Sequence, residues 1–599
     1  MNGVELLLVV IAAIAVSALA QKRGLQAPLV LTALGLAVSF IPGLPRLEIE
    51  PEIILGVVLP PLLYSTALEF SFVHFMRNLW PIVGLGVVLV FLTAFAAGFT
   101  TLRLVPEINS LMVALVLGAV VAPSDAVTAE AIGRRVGLPK RVMTILTGES
   151  LINDAAALTL FTITTVAVTG EHTLISSPVL FFGYGVVVGI AIGGVLAAIV
   201  RAIQRRLDNP GLETVLGLIV PFTGYLAAEE AGASGVIAVV TAGFVIGHNS
   251  GRAGFAARIQ ERQVWHSLDV LLEAFVFAYM GMQMKFIFTE VIDTGHSLKE
   301  VLIAAGAVLL VVLLIRPAYV LINHARLVGM RAIYRNRRAA HPERFARREE
   351  RRRQQYELRR ARLQKRRAAR ADVDHRSAGR RAAQHGPDVT VVRREATVLP
   401  LKHELVISWS GMRGMVTLAA AAGIPVLAAG QPFPGRAVLQ VIAFVVAVGT
   451  LLIQGSTLPL LIKALKIRTE SEEEYERQQH RRANEITQRA AASVMKNALK
   501  NDDGTDPVML SAMTSQLQRF QQNRQQLQQQ AEDSERGDTD RSAIWQKFSQ
   551  VRLDMISAQR DALRAERDAW RLDDDTYREM IKELDYDEAA ISTRMASRL

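Results

Sequence analysis

The 599-residue chain has no cysteine, which excludes disulfides and thiolate metal sites. No basic stretch precedes the first apolar run: Glu5 lies inside it and Lys22-Arg23 follow it, the reverse of a cleaved export signal. The alternating polarity of a soluble multidomain protein is missing as well. Instead, apolar runs of 17 or more residues recur from Val4 to Leu465, each long enough to cross about 30 Å of hydrocarbon. With hydrophobic residues at 51%, the expected class is an all-α polytopic membrane protein.

Thirteen transmembrane helices are expected, at 3–20, 25–42, 52–69, 79–101, 109–132, 141–168, 178–200, 212–229, 233–248, 267–288, 300–324, 405–429 and 436–463. Loop charge tests the count, because short cytoplasmic loops carry an excess of Lys and Arg. Basic groups follow the odd-numbered spans, among them Lys22-Arg23, Arg77, Arg134-Arg135, Arg205-Arg206 and Arg262. Acidic loops follow most even-numbered ones, with Glu48, Glu50 and Glu52, then Glu171, Glu230, and Glu290 with Asp293. The alternation predicts an outside N-terminus and a cytoplasmic C-terminus in a cell (plasma) membrane protein.

Positive charge is concentrated after the eleventh span. Residues 326–400 hold 23 Lys plus Arg against 8 Asp plus Glu, a surplus larger than the +11 of the whole chain. This run reads as a cytoplasmic insertion near anionic lipid heads. It has few aromatic residues on which bases could stack, so nucleic acid is not an expected partner. The expected domains are therefore 1–325 and 401–465 in the membrane, 326–400 as the basic insertion, and 466–599 as a cytoplasmic helical tail. Helices are expected at 470–500 and 542–584, on either side of a Gln-rich stretch at 516–530. The tail has three candidate packing partners: itself, the insertion and a second copy.

Two spans are interrupted. The fifth contains Ala122-Pro123-Ser124-Asp125, where proline removes an amide donor and pushes the preceding residue out of the α region. The twelfth contains Ser408-Trp409-Ser410-Gly411-Met412-Arg413-Gly414, with two glycines around an arginine. The two breaks are seven spans apart, the offset of two inverted six-helix repeats joined by the seventh span. Crossed discontinuous helices in such positions point to a midplane ion site, because broken ends offer carbonyls and oriented dipoles.

The sixth span carries Gly148 to Ala157, GESLINDAAA, a polar run inside an apolar helix. At 100° per residue Ser150 and Asp154 share one side, with Glu149 and Asn153 on an adjoining line. Ionisable groups in hydrocarbon are expensive, so they face protein or a water-filled path and mark transport. The alternative is that Asp154 and Glu149 are partners in structural ion pairs. A hard monovalent cation takes oxygen ligands, and the candidates are Asp154, Ser150, Asp125, Ser124 and the carbonyls at the break after Ala122. A carboxylate among them makes proton and cation mutually exclusive occupants, which is sufficient for exchange. Arg413, if buried, needs a counter-charge, for which Glu149 is the expected partner. Arg316, beside Pro317, reads as a structural base, and Asp269 with Glu273 as interfacial.

GESLINDA resembles the signature of cation/proton antiporters of the NhaP and mammalian sodium/proton exchanger type, the branch with Asn-Asp at this point. The Pro123-Ser124-Asp125 break and the Gly411 to Gly414 arginine motif are similar to that family's two crossing unwound helices. The resemblance covers about 3–465 and leaves out the insertion and the tail. It implies Asp154 as the essential cation and proton carboxylate, Ser150, Asp125 and Ser124 as oxygen donors, and Asn153 as the residue that orients them. It also implies a Glu149–Arg413 pair, a homodimer, an elevator motion, and exchange of Na⁺ or Li⁺, in some members K⁺, for H⁺ with no cofactor. The implied protein is a transporter and not an enzyme. Competing readings are a potassium/proton antiporter, a cation channel, and a membrane scaffold or sensor acting through its tail.

Overall fold

The computed structural model describes residues 3–23, 27–41, 53–125, 129–130, 132–133, 136–170, 178–207, 209–249, 254–293, 297–340, 399–428, 430–467, 470–500, 540–569 and 571–596. Most of the basic insertion (341–398), the Gln-rich stretch and the loop with Glu48, Glu50 and Glu52 lie outside them. The chain divides into two compact units, one of 1–316 with 409–599 and one of 317–408. Within the smaller unit, His324 Nδ1 and Glu404 Oε2 approach to 2.6 Å.

The described chain is helical apart from a minimal hairpin in which Leu427–Ala428 pairs antiparallel with Gln431–Pro432. In order, the helices in or near the apolar region are α1 (Gly3–Lys22), α2 (Ala27–Ser39), α3 (Ile54–Glu69), α4 (Phe72–Arg77), α5 (Leu79–Leu104), α6 (Leu111–Val121), α7 (Lys140–Thr169), α8 (Pro178–Gln204) and α9 (Pro210–Glu230). They continue as α10 (Gly235–Asn249), α11 (Phe255–Asp293), α12 (Leu298–Ala340), α13 (Leu401–Trp409), α14 (Met415–Ala422) and α15 (Arg436–Leu465). Among the described residues, seven helices are long and apolar enough to cross a membrane, and α1, α2, α3, α6 and α10 supply shorter apolar segments. α8 leaves Leu180, Val187 and Val195 at least 60% exposed. A helix that is apolar on its exposed face as well as its packed face suits lipid and not water.

Several buried threonine hydroxyls on these helices are satisfied locally. Thr93, Thr101 and Thr159 donate to the carbonyls of Leu89, Ala97 and Ala155, each four residues back, at 2.8, 2.9 and 2.7 Å. This bonding lets a polar side chain sit in an apolar layer without an orphaned donor. α1 and α2 pack on α11, and α3 on α10, which also packs on α8 and α9. A second group has α5 on α6, α6 on α7 and α15, and α14 on α15. α5 widens to π geometry over Gly84–Val88 where it meets α7. A Cβ on Gly86 would stand 2.8 Å from the Ile152 side chain, so the close approach requires glycine.

The tail forms α16 (Glu470–Lys500), α17 (Asp540–Asp568) and α18 (Asp574–Ala596). The expected helix at 542–584 is therefore two helices. Asp573 is the reason: its side chain takes the Thr576 amide, a helix N-cap, and Asp574 and Asp575 complement the dipole of the first turn. Tyr577, Met580, Ile581 and Leu584 recur at i, i+3, i+4 and i+7 and are buried with Ile556, Leu563 and Ala483. Of the three candidate partners, the tail packs on itself and, through polar contacts, on the ends of membrane helices within the larger unit.

Candidate ion-binding site

α7 carries the polar run as an unbroken helix, with Glu149 and Asn153 each 1% and Asp154 5% exposed. The expected division of its faces holds. Ser150 and Asp154 line a cavity of about 780 Å³, while Glu149 and Asn153 turn to the break after α6. Oδ1 of Asp154 has no hydrogen-bond partner, so this cavity-lining residue keeps a buried carboxylate oxygen without a protein donor.

Both expected breaks are present, since Ala122 to Asp125 and Ser410 to Gly414 are non-helical. They meet: the Asp125 amide donates to the Met412 carbonyl at 2.7 Å. Gly414 allows the crossing, because a Cβ there would lie 2.3 Å from Asp125 Oδ2. Arg413, 2% exposed, sends Nη1 to the Ala122 carbonyl at the end of α6, and its amide bonds Thr450 Oγ1 on α15 at 2.9 Å. Pro123 ends α6, and the guanidinium takes a carbonyl that the interrupted helix leaves open.

The expected Glu149–Arg413 pair is replaced by another. Glu149 gives both carboxylate oxygens to Arg316 of α12, with Nη2 to Oε2 at 2.8 Å and a second contact from Nη1 to Oε1. Ser124 Oγ donates to Glu149 Oε1 at 3.1 Å and accepts from Asn153 Nδ2 at 2.6 Å, and Asn153 also reaches the Ser124 carbonyl at 3.3 Å. The physical reason is reach. Arg316 sits against Gly411, where a Cβ would be 2.4 Å from its Cδ, and so arrives beside α7, while Arg413 is spent on Ala122. A fork-shaped guanidinium matched to both carboxylate oxygens is the stronger arrangement.

Of the expected oxygen donors, Asp154, Ser150 and Asp125 line the cavity. Ser124 does not, because its hydroxyl is engaged with Asn153 and Glu149. Asp269 and Glu273, expected at an interface, line the cavity on α11, and Ser65 Oγ donates to Asp269 Oδ1 at 2.7 Å. Glu130, accepting from Thr147 Oγ1, also lines it and was not anticipated. Its only sequence signal is a carboxylate five residues beyond Asp125 in the interrupted span.

The family description "Sodium/hydrogen exchanger, transmembrane" matches residues 4–340. Over 472 residues the chain is 28% identical to an uncharacterised Na⁺/H⁺ exchanger of Mycobacterium bovis, covering 77% of this chain and 74% of that one. It is 28% identical to a sodium, potassium, lithium and rubidium/H⁺ antiporter of Bacillus pumilus, over 72% of this chain and 57% of the other. The solved sodium proton antiporter MjNhaP1 of Methanocaldococcus jannaschii superposes with a TM-score of 0.52 at 17% identity, over 77% of this chain and 97% of that chain.

Proposed function

We propose, since this chain belongs to the sodium/hydrogen exchanger family as a multi-pass NhaP-type cation/proton antiporter, that it exchanges Na⁺ or Li⁺ for H⁺ at Asp154. One observation carries the assignment: Asp154 is 5% exposed, its Oδ1 lacks a protein donor, and it lines a cavity that the tail also lines. A carboxylate is retained in an apolar span at high cost unless its charge is used. Protonated, Asp154 is neutral; deprotonated, it binds a cation together with Asp125 and Ser150, which share the cavity. The two loads exclude each other, so each passage returns one in place of the other. The crossed breaks supply carbonyls and helix ends at the same level, while Asn153 and Ser124 hold the break in register with α7. The Glu149–Arg316 pair is then a strut between α7 and α12 and carries no ion.

The wider reading also takes the expected thirteen spans in two inverted repeats, a homodimer and an elevator motion of the core as its frame. Potassium is the alternative cation, favoured by the Bacillus pumilus relative, whose name includes it.

The test is cation-dependent proton movement in sealed proteoliposomes across Na⁺, Li⁺ and K⁺, with Asp154→Asn beside the native protein. Exchange in the native protein and none in the variant, with insertion and folding retained, is the expected outcome. Dissipation of a pH gradient by Asp154→Asn at the native rate would remove Asp154 as carrier.

A further inference from the structure

The cavity lined by Asp154 is not walled by membrane helices alone. Its lining includes Glu476 of α16 and Asp575 and Glu579 of α18, so the tail builds part of its wall. Among the described residues that line it, nine carboxylates face one lysine, Lys140, and one histidine, His74. Several arginine contacts fasten the tail to the membrane helices. Arg578 donates to the carbonyls of Glu69 and Phe70 at 2.9 and 3.2 Å, taking the open C-terminal end of α3. Arg258 at the start of α11 is 6% exposed and forms a two-point pair with Asp585, Nε to Oδ2 at 2.8 Å. Arg567 reaches the His248 carbonyl near the end of α10 at 3.4 Å. Arg567 and Arg578 of the tail are thus engaged in docking, and three of its carboxylates line the cavity.

Resting on the antiporter reading above, we propose that the tail is part of the ion path: Glu476, Asp575 and Glu579 form a cation-gathering mouth for the cavity that leads to Asp154. Two observations carry this together. The three tail carboxylates line the cavity, and the same cavity is lined by Asp154, whose buried Oδ1 has no protein donor. In open solution, screening over about 8 Å at physiological ionic strength would hide such charges from the binding site. A cleft with low-dielectric walls focuses the field and raises the local cation concentration. The mouth carboxylates also have basic neighbours, Lys140 Nζ to Glu476 Oε1 at 3.4 Å, His480 Nε2 to Glu579 Oε2 at 3.3 Å and His74 Nδ1 to Asp575 Oδ2 at 3.4 Å; the first two contacts are solvated, and nine carboxylates against one lysine and one histidine leave the cavity lining net acidic. Glu476 and Glu579 therefore act on cation affinity as positioning residues, without touching the bound ion.

The experiment measures Na⁺/H⁺ exchange by the full chain carrying Glu476→Gln and Glu579→Gln, which leaves the contacts of Asp573, Asp575 and Asp585 in place. At low ionic strength KM for Na⁺ should rise about 3-fold with kcat retained. In about 1 M choline chloride, where screening falls to about 3 Å, the variant and native curves should coincide. The chain has no cysteine, so Glu579→Cys gives a second arm. Modifying the purified variant with an anionic sulfonatoethyl thiol reagent before reconstitution should restore the native KM, and a cationic trimethylammonium reagent should raise it further. An unchanged KM at low ionic strength, a shift that persists in concentrated salt, or equal effects of the two reagents would overturn the proposal. If the native protein exchanges and Asp154→Asn does not, any of these results counts against the mouth alone. If the native protein does not exchange, the antiporter reading itself fails.

Discussion

At the residue scale, Glu149 faces two buried arginines and pairs with one of them, Arg316. Removing one partner of a buried pair leaves an uncompensated charge and costs about 3–5 kcal/mol, whereas replacing both with neutral groups of similar size costs far less. Glu149→Gln and Arg316→Met should each lower the thermal unfolding midpoint strongly, and the double variant should recover much of the loss. Additive losses in that double-mutant cycle would dissolve the pair. Arg413→Met should couple to Glu149→Gln more weakly than Arg316→Met does, because Arg413 donates to the Ala122 carbonyl and makes no direct hydrogen bond to Glu149. The burial of all three charges was legible in the sequence, since each lies in an apolar run. Which guanidinium meets Glu149 was not, because both are plausible by composition and only the path of α12 past Gly411 separates them.

At the element scale, the tail docks through His74 on α4 as well as through its arginines. His74 Nε2 lies 2.9 Å from Asp573 Oδ1 and Nδ1 lies 3.4 Å from Asp575 Oδ2. Burial opposes the imidazolium, but the two carboxylates outweigh it and raise the His74 pKa to about 10. Asp573 is held below the usual carboxylate range: burial works against its charge, and the His74 hydrogen bond and the charges of His74 and Lys140 overcome that. The signs bound the docked window on both sides. A raised histidine contributes docking strength fully below its free value near 6.5 and loses it as pH climbs through about 10. A depressed Asp573 contributes above its free carboxylate value and loses it as pH falls through its lowered one. Hydrogen exchange of α18 should therefore accelerate as pH rises from 6.5 toward 10, beyond the intrinsic pH effect, and His74→Gln should flatten that rise. Identical profiles for the two proteins would show that the arginine contacts alone hold the tail. The helix start at Asp574 that makes this contact was readable in hindsight from three consecutive aspartates, a run whose capping role the apolar pattern of the flanking helices obscured.

At the scale of the whole molecule, the charge inventory predicts electroneutral exchange. Glu149 is committed to Arg316, and Asn153 is uncharged, which leaves Asp154 as the titrating group on α7. A core that crosses with either one proton or one monovalent cation carries the same charge both ways. Exchange in vesicles should then keep its rate and end point when the membrane potential is clamped at different values with a K⁺ ionophore. A systematic shift with potential would show that more than one proton moves per cation, with Asp125 as the second carrier. The apolar segments, the two breaks and the division of α7 into a cavity-facing and a break-facing side were determined by the sequence alone. Each depends on local physics: hydropathy over some twenty residues, the missing amide of Pro123 and 100° of turn per residue. Only the tertiary structure decided that Arg316 takes Glu149, and that Asp269 and Glu273 line the cavity together with Glu476, Asp575 and Glu579 of the tail. Those outcomes join residues tens to hundreds of positions apart, and a charge at such separation is drawn to whichever opposite charge the packing brings within reach, which no local pattern encodes.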